Sequence, residues 1–105
     1  MNILRCYDEI ATTPPHTLRE TLRMCTEASF VERLSATRAP TLVISGEHDA
    51  MFAPAYVRGE IVERIPGARL ALLPCGHNLP LEMPVETAAL LNSFVAELSA
   101  ENAAA

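Results

Sequence analysis

Thr41-Leu42-Val43-Ile44-Ser45-Gly46-Glu47-His48-Asp49 decides how this chain is read. An unbroken apolar, β-branched run stops at a glycine, and an acid follows three residues later. Bounded by Pro40 and Gly46, the run has the pattern of a strand covered on both faces, so residues 39–45 are predicted as β-strand. Leu70-Ala71-Leu72-Leu73-Pro74 repeats the arrangement and leads to Gly76-His77. In a right-handed β-α-β unit both strands end at the same edge of the sheet, about 4.8 Å apart when they are neighbours. A carboxylate on one loop then reaches an imidazole on the next, which is the Asp-His half of a nucleophile-histidine-acid system.

Taken in order, these stretches resemble a known family. Residues 39–49, followed by Pro54, resemble the penultimate core strand and acid turn of α/β-hydrolases. Ile65-Pro66-Gly67-Ala68-Arg69, then Gly76-His77 with Glu82-Met83-Pro84 behind it, resembles their last strand, histidine loop and final helix. The likeness runs from about Ser29 to Leu98, with 77 − 49 = 28 residues between acid and histidine. It implies an α/β fold, the C-terminal part of an α/β-hydrolase sheet, with two parallel strands and about four to five helices. It also implies Asp49 and His77 as the catalytic acid and histidine, with ester, lactone or carbon-carbon bond hydrolysis as the activity and no cofactor. Within the family, the capped lactonases, esterases and carbon-carbon-bond hydrolases are the most similar group.

Members of the family carry their nucleophile on a Gly-x-Ser-x-Gly elbow that precedes the acid and the histidine. No such pentapeptide occurs in these 105 residues; Val43-Ile44-Ser45-Gly46-Glu47 comes nearest and lacks the first glycine. The oxyanion-hole donors belong earlier still. The expectation is therefore a C-terminal portion that is inactive alone and takes a small-molecule substrate only in a completed enzyme. Ser, Asp and Cys all remain open as its nucleophile. The alternative is a non-catalytic remnant or assembly module that binds its missing half or itself.

Composition narrows the other classes. Half the residues are hydrophobic and a fifth charged, ordinary globular usage. The formal net charge is −5 and there is no lysine, which disfavours nucleic acid as a partner because phosphate binding rests on clustered cations. Apolar stretches fall well short of the roughly 20 residues a bilayer span needs, so no membrane is expected. Met1-Asn2-Ile3-Leu4-Arg5-Cys6 lacks a signal-peptide pattern. Cys6, Cys25 and Cys75 are an odd, scattered set, which speaks against a disulfide framework and for a reducing, cytoplasmic setting.

Three segments are expected: residues 1–38, helical and resembling the end of a cap; residues 39–99, the core portion; and residues 100–105, a frayed tail. Ile3, Leu4, Tyr7 and Ile10 recur at helical spacing before Pro14-Pro15. Thr17-Leu18-Arg19-Glu20 and Ser29-Phe30-Val31-Glu32 have the form of capping boxes. Pro54 opens a helix with Val57, Ile61, Val62 and Ile65 inward, and Pro66-Gly67 ends it. After Pro84 a last helix leads into Val85, Ala88, Leu91, Val95 and Leu98.

Each candidate has a plainer reading beside the catalytic one. Asp49 after a glycine turn is also a common turn residue, and His77 also suits a loop histidine bonded to backbone. As a pair, Asp49 would hold the Nδ1 proton of His77 and leave the other nitrogen free to accept the nucleophile's proton. His48 reads as a solvated neighbour, Glu47 as a substitute acid, and Glu82 as a brace for the histidine loop or the next helix. His16 reads as a loop residue. Cys75 lies too near His77 in sequence for in-line attack and reads as a structural thiol. His48, Asp49, Cys75 and His77 are chemically acceptable to zinc, but no metal-site spacing supports that reading.

Overall fold

The structure, a computed structural model, describes residues 3–105. The side chains of residues 1–6 lie outside that description, the predicted apolar positions Ile3 and Leu4 and the thiol of Cys6 among them. The chain divides into two compact units, one reaching Glu32 and the other spanning Arg33–Ala105.

In the first unit, α1 (Ile3–Thr12) ends before the proline pair. Its last carbonyls are met by hydroxyls: Thr12 Oγ1 donates to Asp8 O at 2.7 Å and Thr13 Oγ1 to Glu9 O at 2.7 Å. α2 (Pro15–Glu27) opens two residues before the predicted cap, with Pro15 in its first turn and no side-chain cap bond. Proline's fixed φ suits that position and its missing N–H would be unpaired there anyway, so the helix needs no hydroxyl from Thr17. Glu20, freed from the expected box, accepts from Arg23 instead.

A 3-10 turn, Val31–Ala36, runs across the boundary in sequence between the units, where a short helix is predicted after Ser29. β1 (Leu42–Gly46) starts three residues later than the apolar run suggests. Pro40 has no N–H to give, and the ladder begins only where the partner strand does, with Arg69 N–H donating to Thr41 O at 3.0 Å. Pro54–Tyr56 (α3), a widened turn at Val57–Ile61 and a 3-10 turn at Val62–Arg64 follow as one helical run. Val57 and Ile65 are buried, and Ile61 and Val62 half-buried, as their spacing predicts. The run stops in a tight turn. Ala68 N–H donates to Ile65 O at 3.1 Å across Pro66 and Gly67, and Gly67 takes φ +72°, a conformation that favours glycine.

That turn delivers the chain into β2 (Arg69–Leu73), which pairs with β1 in parallel from Leu42↔Arg69 to Gly46↔Leu73. Both strands therefore finish side by side. The short α4 (Leu79–Glu82) and the long α5 (Pro84–Ala104) complete the unit.

Of the apolar series noted along α5, only Leu98 is drawn inward. Thr87 is buried and Leu90, Phe94 and Leu98 are half-buried, whereas Val85, Leu91 and Val95 are exposed. The helix carries apolar residues all round, so periodicity alone does not choose its face. Docking chooses it: the Arg69 guanidinium lies 5.3 Å from the Phe94 ring centre and pairs with Glu97 at 2.7 Å. Residues 101–104, predicted to fray, continue the helix. No helix among the described residues is long and apolar enough to cross a membrane.

Candidate active site

Because β1 and β2 are parallel and in register, the loops after Gly46 and Leu73 leave the same edge of the sheet. Their backbones are tied together. Glu47 N–H donates to Leu73 O at 2.8 Å and His48 N–H to Cys75 O at 3.0 Å. Gly46 lies so close that an added Cβ would stand 2.1 Å from Gly76 O and 2.4 Å from Cys75 O. The glycine ending the first strand is thus what lets the second loop pass over it.

Asp49 N–H turns back to Gly46 O at 3.3 Å, and the carboxylate then divides its work. Oδ1 accepts Met51 N–H at 2.8 Å and Phe52 N–H at 3.0 Å, the pattern of an aspartate that caps its own turn. Oδ2 meets His77 Nδ1 at 2.9 Å, across the 28-residue separation. Asp49 accordingly fills both of the roles its sequence allows, the turn residue and the histidine's partner.

The Asp49 side chain is 5% exposed and that of His77 43%. Phe52 N–H, the largest influence, together with the His77 bond and Met51 N–H, holds the Asp49 carboxyl below its ordinary value against the opposing effect of burial. A carboxylate so held stays ionised. An ionised carboxylate only accepts, so this contact calls for a proton on Nδ1 and leaves Nε2 as the ring nitrogen turned away from Asp49.

Beside the pair lies a cleft of about 240 Å³, walled by Val43, Ile44, Val57, Ile61 and Leu79. Phe52 and His77 also line it, their ring centres 5.7 Å apart. Sequence reading assigns Phe52 nothing. The signal lay in its place three residues after Asp49, where a turn-capping carboxylate takes the N–H and brings the side chain to the rim.

The remaining candidates separate. His48 and Glu47 are exposed. Cys75 is buried; that burial, helped by the charges of Glu82, Asp49, Glu47 and Glu86, pushes its thiol up, away from the reactive thiolate. His16 lies within α2 rather than in a loop. Glu82 accepts Gly76 N–H at 2.6 Å and Asn78 N–H at 3.3 Å. Among the described residues no group of three or more His, Cys, Asp or Glu side chains is arranged to hold a metal ion, so the zinc alternative lacks its ligand cluster.

No family model and no curated protein matches the chain. A solved structure does: a hydrolase from Pseudomonas aeruginosa PA01, 32% identical, with a TM-score of 0.60, over 65% of this chain and 25% of that one. The chain thus spans about a quarter of the length of that hydrolase. With two parallel strands in register, flanking helices and this likeness, the chain has the fold of a C-terminal portion of an α/β-hydrolase-like protein.

Proposed function

We propose that this chain supplies the acid and the general base of a hydrolase's catalytic triad, with Asp49 orienting His77. The observation that carries the reading is the 2.9 Å contact between Asp49 Oδ2 and His77 Nδ1 at the common edge of two parallel strands. His77 Nε2 takes the proton of a nucleophile as it attacks a carbonyl carbon, returns it to the leaving group, and then activates water to release the product. Nucleophile and oxyanion donors come from sequence outside these 105 residues. The apolar cleft beside His77 suits an ester, a lactone or a carbon-carbon bond flanked by a carbonyl, and the setting proposed is cytoplasmic.

The test joins the chain to a nucleophile-bearing upstream segment and follows turnover of a p-nitrophenyl ester. Asp49→Asn is expected to lower kcat by roughly 10⁴, because an amide favours the wrong imidazole tautomer. His48→Ala is expected to cost little, and the 105 residues alone to give no turnover above buffer. The reverse ranking of the two substitutions would show that the acid has been misassigned.

A second reading, an assembly module, is supported by the outer edge of β1. Leu42–Gly46 pairs with β2 on one side and with no other strand among the described residues. Such an edge, beside half-buried apolar residues, is a template for another chain, either the nucleophile-bearing half or a second copy. Light scattering is expected to find dimers or larger species of the isolated chain. A monodisperse monomer with strong amide protection from Leu42 to Gly46 would sink this reading.

A further inference from the structure

We propose that Glu82 is a positioning residue for His77: its carboxylate accepts the backbone N–H groups on both sides of the histidine and so holds the imidazole in line with Asp49. The inference rests on the acid-histidine reading above and adds a residue to it. Glu82 Oε2 takes Gly76 N–H at 2.6 Å and Oε1 takes Asn78 N–H at 3.3 Å, so the two anchors bracket residue 77. The same stretch closes on itself through the main chain, with Leu81 and Glu82 N–H donating to Asn78 O at 3.0 and 2.9 Å. On its other flank the loop is held by His48 N–H on Cys75 O.

The clamp adds a hold from below to what the Asp49 bond and the neighbouring Phe52 ring do for the imidazole. Its side chain is 43% exposed, while that of Asp49 is 5% exposed and fixed by two backbone N–H groups as well. The backbone beneath His77 therefore helps to set where the ring stands, and hydrogen bonds to a charged carboxylate are the stronger kind. Gly76 is part of the device. A Cβ there would come within 3.1 and 3.2 Å of the two Glu82 oxygens, so a side chain at this position would press the carboxylate away by a few tenths of an ångström. With both oxygens turned to backbone N–H groups, Glu82 holds the loop and passes no proton.

Nitrogen NMR of the full chain, with the imidazole neutral, tests this through the His77 ring shifts, which report the tautomer. In the wild type His77 is expected in the Nδ1–H form. Glu82→Gln should move it toward the Nε2–H form and speed amide exchange at Gly76 and Asn78 by about tenfold or more, the loss of charge-assisted bonds. The Leu42–Gly46 resonances should stay in place. Glu82→Asp keeps the charge but is a methylene too short, and should behave like Glu82→Gln. Gly76→Ala, which crowds the carboxylate while leaving it present, should fall between, and it decides alone if Glu82→Gln fails to fold. Unchanged ring shifts with exchange within about twofold of wild type would overturn the proposal, since a bond of this kind is worth more than that. Asp49→Asn separates the two ideas. If it moves the His77 shifts and Glu82→Gln does not, only the Glu82 role is lost; if it moves nothing, the acid-histidine reading falls and the clamp with it.

Discussion

The sheet edge between Gly46 and Glu82 and the helical unit ending at Glu32 are held by opposite kinds of contact. At the edge, beside local turn bonds, others join residues far apart in sequence: Glu47 to Leu73, His48 to Cys75, Asp49 to His77. In α2, among the described residues, they are local. Arg23 reaches Glu20 and Glu27, one turn away on either side, and the helix contains no buried residue. Local contacts make a helix but specify nothing beyond it. Contacts across long separations fix atoms to within a few tenths of an ångström, which is what chemistry at a proton acceptor needs.

The largest effect on stability is expected at Gly46. An alanine there would drive Cβ into the carbonyl oxygens of Gly76 and Cys75, and both are backbone, with no rotamer to turn away. Gly46→Ala should cost roughly 3 kcal/mol or more, the upper end of overpacking, and should part the acid loop from the histidine loop. Gly59→Ala gives the contrast. Nothing lies within 4 Å of its added Cβ, and it sits within the helical run, so it should be neutral or stabilising by up to about 1 kcal/mol. Urea denaturation curves measure both, and equal losses would mean that the closeness of the two loops is not what holds this edge.

The same division decides what was legible in the sequence. Asp49 and His77 could be placed together because each follows an apolar run ending in glycine, and parallel strands bring such ends to one edge. β2 was readable to the residue, since Pro66-Gly67 dictates the turn before it. Where several local signals competed, tertiary contacts or a stronger signal won. Thr17 looks like a cap, but Pro15 two residues earlier starts the helix on its own terms. Val85, Leu91 and Val95 recur at helical spacing with Leu98, but the contacts of Arg69 with Phe94 and Glu97 seat α5 on a face that includes only Leu98 of the four. Phe52 beside His77 depends on a side-chain direction that no periodicity encodes, whereas Glu82, six residues after Gly76 and just before a helix-opening proline, could be read as a brace for the histidine loop.

Acid should strike the sheet edge first. The folded-state value of Asp49 lies below its ordinary one, so between the two the unfolded chain binds a proton that the folded chain does not. The stability that Asp49 contributes is thus complete above the ordinary carboxylate value of about 3.9, and is lost as pH falls through the folded one. Denaturation of wild type and Asp49→Asn compared from about pH 6 to about pH 3 should show the gap between them narrowing toward acid. A constant gap would mean that Asp49 titrates alike in both states, contrary to its three hydrogen bonds.

The smallest effect is expected at Arg23, where the helical unit makes its most visible polar contacts. Its guanidinium meets Glu20 at 2.9 Å and Glu27 at 3.0 Å, with all three side chains more than half exposed. Exposed pairs one turn apart contribute about 0.3–0.5 kcal/mol each and are screened by salt. Alanine is itself the better helix former, which offsets part of the loss. Arg23→Ala should therefore change stability by about 0.5 kcal/mol or less, and about 0.5 M salt should erase the difference. Circular dichroism during thermal melting gives the number, and the amide resonances of Leu42–Gly46 give the location. A loss approaching that of Gly46→Ala, or a disturbance carried to His77, would show that the helical unit bears on the site and that the two regions cannot be treated as separately held.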